Sequence, residues 1–213
     1  MLVKSSADCV DLASIWIVDC RASHPHCVEW SQGDHMLPGR LISVGASNNE
    51  VRLVETKSMV PADTTDMTLS YCWGKLPIFT LLSTGLSALQ QNIPTSQLAR
   101  VFQDAIDRTR KFLGPKGFIW IDCLCIIQDS KEDWLKESAK MWDVYRFSWC
   151  NIAATRFEDG RSGLFVQRDS SVKALLSKLQ KFELCKSKVK LVLNSKKKFV
   201  PQAYAEKTKY AKG

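Results

Sequence analysis

The segment Phe118–Ile127 constrains the fold more than any other part of the chain, because Asp122 is its only polar residue. Apolar runs without alternation are typical of strands covered on both faces, as in a parallel sheet with helices on either side. A half-exposed strand would instead alternate apolar and polar residues. We therefore predict a buried central strand over these residues, with Asp122 as its single polar interruption.

Strand-like and helix-like segments precede this run. Residues 67–71 are β-prone, and the pattern ends abruptly before Gly74, which can adopt backbone angles that other residues avoid. Residues 95–112 carry apolar side chains at steps of three and four, the spacing of one helix face. We expect Thr95 or Ser96 to cap this helix and the Gly-Pro pair after residue 113 to end it.

A second helix and a last strand follow the central run. Asp129 and Glu132 stand in capping-box spacing, which predicts a helix from this point to about Phe147. Residues 149–154 then predict a strand. The order strand, helix, strand, helix, strand is typical of a mostly parallel sheet with right-handed crossovers.

Upstream residues predict a hairpin and an entry segment. The runs 40–44 and 51–55 are short and β-prone, and they flank the turn-rich residues 45–50. A helix is predicted over residues 11–19, within an entry segment that we expect to pack on the main domain. The predicted fold class is α/β: a mostly parallel sheet flanked by helices, with an N-terminal hairpin and entry segment.

The net charge of +8 is concentrated in one part of the chain. Residues 171–213 contain 12 Lys and two acids, which leaves 18 basic and 20 acidic residues elsewhere. Blocks of like charge are usually solvated, so we predict a disordered lysine-rich tail over 171–213 and do not expect nucleic-acid binding.

Signals for export or membrane insertion are not evident in the sequence. No secretory leader pattern opens it, and no apolar stretch approaches the roughly 20 residues that cross a bilayer. We therefore expect a cytoplasmic protein whose eight cysteines are reduced thiols.

Glu137 is the first candidate for chemistry. Trp134, Glu137, Met141 and Tyr145 follow at steps of three and four, so the helix places this carboxylate on its inward face. A buried carboxylate is costly unless it is hydrogen-bonded or lines a cleft. It therefore either serves a functional site or is bonded structurally, to a backbone group or to Arg146 or Arg110.

The turn from Ser70 to Gly74 is the second candidate. In open α/β sheets, ligands bind beyond the carboxyl ends of the strands, so Ser70, Tyr71, Trp73 and Gly74 could form a ligand rim. A packing turn with Trp73 plugging the end of the sheet fits equally well. Asp122 has a similar ambiguity, because it could take part in binding or bond a helix N-terminus.

Several common sites are absent from the sequence. Cys20, His24, His26 and Cys27 are clustered, but their spacing fits none of the common structural zinc patterns, so we expect no metal site. No G-x-S-x-G elbow, P-loop or G-x-G-x-x-G fingerprint occurs, which argues against a serine hydrolase, a kinase or a Rossmann dehydrogenase.

Five sequence blocks, taken in order, resemble the fungal heterokaryon incompatibility (HET) domain. The similarity covers about residues 15–170, and a lead-in of the same kind occurs at Leu37–Leu41 and Val51–Val54. The blocks are Leu69–Gly74, Asp104–Ile106 with Thr109 and Arg110, Trp120–Asp129, Asp133–Trp134 with Glu137, Met141 and Tyr145, and Gly163–Phe165 with Arg168.

The resemblance implies a role in programmed cell death after fusion of genetically unlike hyphae. HET domains are in turn remotely similar to TIR domains, which have a flavodoxin-like fold and of which some cleave NAD. TIR enzymes place a glutamate three residues after a tryptophan, as Trp134 and Glu137 stand here. By this resemblance Glu137 is the catalytic candidate, NAD is a possible substrate, and no resident cofactor is required. The residues implied for NAD binding are Ser70, Tyr71, Trp73, Gly74, Asp122 and Trp134.

Three functions follow from these observations. The first is a NAD-consuming death effector, the second a non-enzymatic module that signals by association with itself or with other proteins of the incompatibility response, and the third an inert truncated fragment. We predict an entry segment over 1–35, a HET domain over 36–170 and the tail over 171–213.

Overall fold

A computed structural model describes residues 6–25, 37–59, 64–75, 77–154 and 163–164. The chain divides into two units, residues 1–166 and 167–213, and every described residue belongs to the first. The predicted tail lies outside the described residues. The strands are β1 (Arg40–Ser43), β2 (Arg52–Glu55), β3 (Asp66–Ser70), β4 (Phe118–Trp120) and β5 (Cys150–Ala153). The helices are α1 (Ser6–Ser23), α2 (Thr56–Met59), α3 (Leu86–Gln91), α4 (Arg100–Leu113), α5 (Asp122–Cys125), α6 (Lys131–Ser138) and α7 (Met141–Phe147).

The strands form one open mixed sheet in the order β2-β1-β4-β3-β5. β3 runs parallel to both β4 and β5, with Thr68 opposite Trp120 and Met67 opposite Cys150. β1 and β2 form the predicted antiparallel hairpin, and β1 also pairs antiparallel with β4. The α/β fold class is therefore confirmed: the three strands of the predicted alternation are parallel, and the hairpin extends their sheet.

Helices connect the parallel strands and bury their apolar faces on the sheet. α4 lies between β3 and β4 in the chain, and its Phe102, Ala105 and Thr109 are fully buried, as their helical spacing predicted. The ring of Tyr145 in α7 packs edge-on against Trp120, with centroids 5.6 Å apart. The connections β3–β4 and β4–β5 run in opposite directions across the sheet. The rule that such crossovers are right-handed therefore predicts that they lie on opposite faces.

One edge of the sheet gathers the predicted site residues. The carboxyl ends of β3 and β4 lie there, at Ser70 and at Trp120. The amino end of β1 lies at the same edge, because β1 is antiparallel to β4 and Ile42 is opposite Ile119. We call this the carboxyl edge.

The predicted strand over 118–127 is wrong beyond residue 120. The chain leaves β4 after Trp120 and forms the short buried helix α5, in which Cys125 N–H donates to the carbonyl of Ile121 (2.9 Å). Asp122 starts this helix, and its carboxylate accepts a hydrogen bond from the Cys123 N–H (2.7 Å). A buried helix and a buried strand both read as continuous apolar sequence, so periodicity could not separate them.

The helix boundaries also differ from the predictions. The first long helix begins at Arg100, because residues 95–97 form a separate 3₁₀ turn. The second is divided in two, α6 and α7, at residues 139–140. Its cap is Ser130, whose hydroxyl accepts from the Asp133 N–H, and Asp129 instead accepts hydrogen bonds from the backbone and hydroxyl of Ser83.

The helix predicted over residues 11–19 lies within α1. Its described side chains are half-buried at residues 12–14, 17 and 20 and exposed elsewhere, and the packing expected of the entry segment stays a prediction. Within the described parts of the chain, no helix is long and apolar enough to cross a membrane. The free thiols in the described parts of the chain are those of Cys20, Cys72, Cys123, Cys125 and Cys150.

Gly163 and Leu164 are held against α4. The Leu164 N–H donates to Asp104 Oδ2 (2.9 Å), and Asp104 also pairs with Arg100 (3.0 Å). Gly163 has φ +73, and a Cβ on it would lie 2.5 Å from Asp104 Oδ2. Only glycine fits this position without displacing the buried carboxylate.

We therefore expect Gly163→Ala to destabilise the fold by about 2 kcal/mol, because it adds both backbone strain and a clash with Asp104. Urea unfolding of the two proteins measures the change. Gly85→Ala is the matched control, since Gly85 has φ −92 and nothing lies within 4 Å of its missing Cβ. Equal losses from both substitutions would contradict this account.

Asp66 is a buried carboxyl at the amino end of β3, with 2% of its surface exposed. Burial raises its pKa from 3.8 to about 7, although a hydrogen bond with its own backbone opposes the shift. The folded protein therefore binds this proton more tightly than the unfolded chain does. Between pH 4 and 7 the unfolded chain releases the proton first, so stability falls as the pH rises.

We predict that the free energy of unfolding decreases from pH 5 to pH 8 and that Asp66→Asn makes this decrease shallower. Over this pH range the difference is about 3 kcal/mol, at roughly 1.4 kcal/mol per pKa unit. Chemical denaturation across this pH range measures both slopes. Glu132→Gln, at an exposed position, should leave the wild-type slope intact; an unchanged slope in Asp66→Asn would show that another group is responsible.

Candidate functional site

Asp122 organises the turn that follows β3. Its Oδ1 accepts a hydrogen bond from the Tyr71 hydroxyl (2.9 Å), and its Oδ2 accepts one from the indole N–H of Trp73 (2.8 Å). With the Cys123 N–H, three donors converge on this carboxylate. The structure thus brings together three of the predicted binding residues, and the donors are groups of the protein itself.

The two aromatic rings at Asp122 form a layered wall. Tyr71 and Trp73 lie nearly parallel, with an interplanar angle of 11° and centroids 6.4 Å apart. Phe102 of α4 meets the Tyr71 ring edge-on at 4.9 Å. Burial raises the pKa of the Tyr71 hydroxyl, and the charge of Asp122 raises it further, so this hydroxyl stays a hydrogen-bond donor throughout the physiological range.

The remaining predicted residues of this turn have backbone roles. Ser70 is the last residue of β3, and its carbonyl accepts from the Ala154 N–H (2.8 Å), which extends the pairing with β5. Gly74 has φ +68, a conformation that favours glycine. Cys72, between the two aromatic residues, is exposed. The turn therefore has a fixed inner side at Asp122 and an open outer side.

Glu137 lies in α6 with 3% of its surface exposed. Its Oε2 accepts from the backbone N–H of Gly39 (2.8 Å), and its Oε1 pairs with Lys140 Nζ (3.0 Å). The carboxylate is so close to Gly39 that a Cβ there would lie 2.7 Å from Oε1. The sequence analysis considered a backbone group, Arg146 or Arg110 as the partner of this carboxylate. The structure shows a backbone group, the Gly39 N–H, and Lys140 in place of either arginine.

Arg40 and Asp133 form a second charged pair beside this contact, which the sequence analysis did not single out as a site. Arg40 donates through Nη2 to Asp133 Oδ2 and through Nε to the carbonyl of Cys125 (2.8 Å). Burial opposes ionisation of Asp133, but the Arg40 bond and the Ile127 N–H lower its pKa below the ordinary value. Asp133 lies in one of the HET-like blocks and Arg40 in the lead-in before them, which was the available signal.

Cys125 connects the two clusters electrostatically. The pKa of its thiol is raised to about 12, mainly by burial; the Ile121 backbone and Arg40 oppose the rise, and the charges of Asp122 and Glu137 contribute to it. Both carboxylates therefore act on one buried atom at the carboxyl edge. Because its pKa is so high, this thiol is not a nucleophile at neutral pH.

Trp134, the last predicted binding residue, is half-buried and packs against the core. It lies one turn before Glu137 in α6. A cleft of about 440 Å³ opens elsewhere, between residues 79–85 and residues 88–97, and its lining carries no charged side chain. None of the predicted site residues lines that cleft. The described carboxyl edge therefore offers pre-organised carboxylates and an aromatic wall, with its hydrogen bonds satisfied internally.

The contact between Gly39 and Glu137 predicts a specific coupling. Gly39→Ala should destabilise the fold by about 2 kcal/mol, because its methyl group would displace the buried carboxylate. Glu137→Asp withdraws that carboxylate by one methylene, so Gly39→Ala should cost clearly less when it is combined with Glu137→Asp. A double-mutant cycle measured by thermal unfolding tests this; additive effects would contradict the contact.

Comparisons with known proteins agree with the sequence blocks. A family model described as heterokaryon incompatibility protein (HET) matches residues 67–208, two thirds of the chain. This range includes β4, β5, all of β3 but its first residue, and the carboxylates Asp122, Asp133 and Glu137, and Gly39 and Arg40 lie before it. The predicted domain limits and the similarity to TIR domains stay predictions. Curated proteins give no match, and solved structures give none either. The chain therefore belongs to the heterokaryon incompatibility (HET) family.

Proposed function

We propose that this chain is a signalling module of the fungal incompatibility response, which contributes to non-self recognition and programmed cell death through protein contacts. Membership of the HET family supports the biological setting. One observation carries the choice of mechanism. Glu137, the strongest catalytic candidate, is 3% exposed, and both its oxygens are bonded to groups of the same domain.

A carboxylate that acts on a substrate must reach the reacting atoms. Here the Gly39 N–H occupies one oxygen of Glu137 and the Lys140 ammonium the other. The segment that carries Gly39 is itself fixed, because Thr56 donates through its hydroxyl to the Pro38 carbonyl and through its N–H to the Gly39 carbonyl. This arrangement suits an anchor between β1 and α6 better than an open catalytic group.

NAD cleavage is the second candidate, and one observation favours it. Asp122, Glu137 and the Tyr71–Trp73 wall all belong to the carboxyl edge of the sheet, where α/β folds bind ligands. The three parallel strands also lie in the order second, first, third along the chain, as in the first strands of a flavodoxin-like sheet. In such an enzyme Glu137 would stabilise the ribose as positive charge develops and nicotinamide leaves, after exchanging its bond with Gly39 for one with the substrate.

One pair of assays separates the two mechanisms. We expect wild-type protein and Glu137→Gln to arrest hyphal growth equally when expressed in a fungal host, with no nicotinamide released from NAD by either purified protein. The glutamine retains an acceptor for the Gly39 N–H, so the fold should persist, which circular dichroism and thermal unfolding check.

Lys140→Met is the matched control, because it breaks the same ion pair and leaves the carboxylate in place. If wild type and Lys140→Met release nicotinamide and Glu137→Gln does not, the protein is an enzyme and the proposed mechanism fails. If all three proteins are folded and none of them arrests growth, the proposed role in cell death is wrong.

A further inference from the structure

The cleft between residues 79–85 and residues 88–97 is large enough to hold a ligand. Its volume is about 440 Å³, and pockets that bind drug-sized molecules enclose roughly 300–1,000 Å³. Its lining contains none of the carboxylates or aromatic rings of the carboxyl edge. A ligand bound here would therefore use a part of the domain that the buried carboxylates leave open. We call it the uncharged cleft.

Both walls of the uncharged cleft come from a part of the chain without charged side chains. Residues 76–99 contain none, and Lys75 and Arg100 are the nearest charged positions in the sequence. Glu55 reaches this segment from β2, but it accepts from the amide of Gln90 (3.4 Å), which does not line the cleft. A charged group that entered the cleft would lose water without gaining a counter-charge, so the cleft favours an uncharged ligand.

The first wall is held in place from outside the cleft. The fully buried Leu81 donates through its N–H to the Cys123 carbonyl (2.8 Å) and accepts from the Gln128 N–H (2.9 Å). Asp129 accepts from both the backbone N–H and the hydroxyl of Ser83 (2.8 and 2.7 Å). Neither Leu81 nor Ser83 lines the cleft, so these bonds fix the wall without filling the space.

The second wall is fixed in the same way. Ile93 is fully buried, and its N–H donates to the Val51 carbonyl (2.7 Å). Asn92 donates through Nδ2 to the Asn49 carbonyl (2.8 Å). Since both walls are anchored by the domain itself, the uncharged cleft is formed before any ligand binds, which reduces the entropic cost of binding.

The lining also carries polar groups that the domain does not use. Within the described parts of the chain, the hydroxyls of Thr80 and Thr84, the amide of Gln97 and Oδ1 of Asn92 have no hydrogen-bond partner. Together these groups include donors and acceptors, and none is charged. Each residue of a polypeptide backbone also presents one donor and one acceptor without charge, so peptide groups match this lining.

We propose that the uncharged cleft binds an extended, uncharged polypeptide segment of another protein. Its apolar side chains would pack on Phe79, Leu82 and Leu89, and its peptide groups would bond to the hydroxyls and amides of the lining. Extended peptides are commonly recognised by such a combination of main-chain hydrogen bonds and side-chain pockets. The inference rests on the proposed function, because it gives signalling through protein contacts a surface and a class of partner.

Three blocked tripeptides test the preference for an uncharged ligand with the full chain. The probes are acetyl-Val-Leu-Val-amide and the same peptide with Glu or with Lys at its centre. We expect the leucine peptide to bind at least about tenfold more tightly than either charged one. Titrations followed by amide chemical shifts measure the affinities, and the changes should be concentrated at residues 79–85 and 88–97. Absence of binding, or equal affinities for the three peptides, overturns the proposal.

Substitutions in the lining locate the bound peptide. Ala88→Trp fills the cleft with an indole ring and should abolish binding, whereas Ser87→Trp, at an exposed position outside the lining, should not change it. Gln97→Glu adds one negative charge to the lining at nearly constant size. It should reverse the preference, so that the lysine peptide binds most tightly.

Gln91→Glu is the matched control for the added charge, because Gln91 is exposed in α3 and lies outside the lining. It should keep the preference of the wild type. Circular dichroism establishes that each variant is folded. If folded Ala88→Trp binds as the wild type does, or Gln97→Glu still prefers the leucine peptide, the peptide binds elsewhere and the proposal is wrong.

The hyphal assay separates this inference from the proposed function. If Ala88→Trp binds no peptide and still arrests growth as the wild type does, the uncharged cleft is not the signalling contact. The inference then fails, while signalling without NAD cleavage stands. If the peptides bind as described and the wild type causes no arrest, the peptide site stands and the proposed role in cell death is wrong.

Discussion

The cost of withdrawing carboxylates from water organises the carboxyl edge of this domain. Asp122, Asp133 and Glu137 are all at least partly buried there, and each obtains donors from a segment distant in sequence. Asp122 fixes the turn after β3 to the end of β4, and Asp133 and Glu137 fix α6 to the start of β1. An unpaired buried charge would cost several kcal/mol, so the positions of β1, β3, β4 and α6 are mutually dependent.

The sequence identified Asp122 and Glu137 as notable carboxylates, but it did not predict how each of them is bonded. Asp122 stood out because it interrupts an apolar run, and Glu137 because helical spacing turned it inward; both are in fact hydrogen-bonded inside the domain. The strand predicted through Asp122 was wrong because the chain turns into α5 there, with the N–H groups of Leu124 and Cys125 bonded to the Ile121 carbonyl. The choice between helix and strand at this point is local. A buried helix and a buried strand carry the same continuous apolar sequence, so apolar periodicity cannot separate them.

The partners of these groups were largely outside the reach of sequence reasoning. Lys140, three residues after Glu137, follows from helix geometry. Gly39 does not, because 98 residues separate it from Glu137 and only the antiparallel pairing of β1 with β4 brings it there. The hairpin was predicted correctly from its turn, but its place at the edge of the parallel strands, where Arg40 meets Asp133, depends on tertiary packing.

The cost of withdrawing groups from water also distinguishes the interior of this domain from its surface. Carboxylates whose donors are all internal have little capacity left for a ligand, so the charges of the carboxyl edge stabilise the fold first. In α1 the large apolar side chains of Ile15, Trp16 and Val18 are 63–66% exposed. Removing these side chains from water would contribute about 25 cal/mol per Å² of apolar surface. The carboxylates of the carboxyl edge are therefore bonded inside the domain, whereas part of the apolar surface of α1 is exposed.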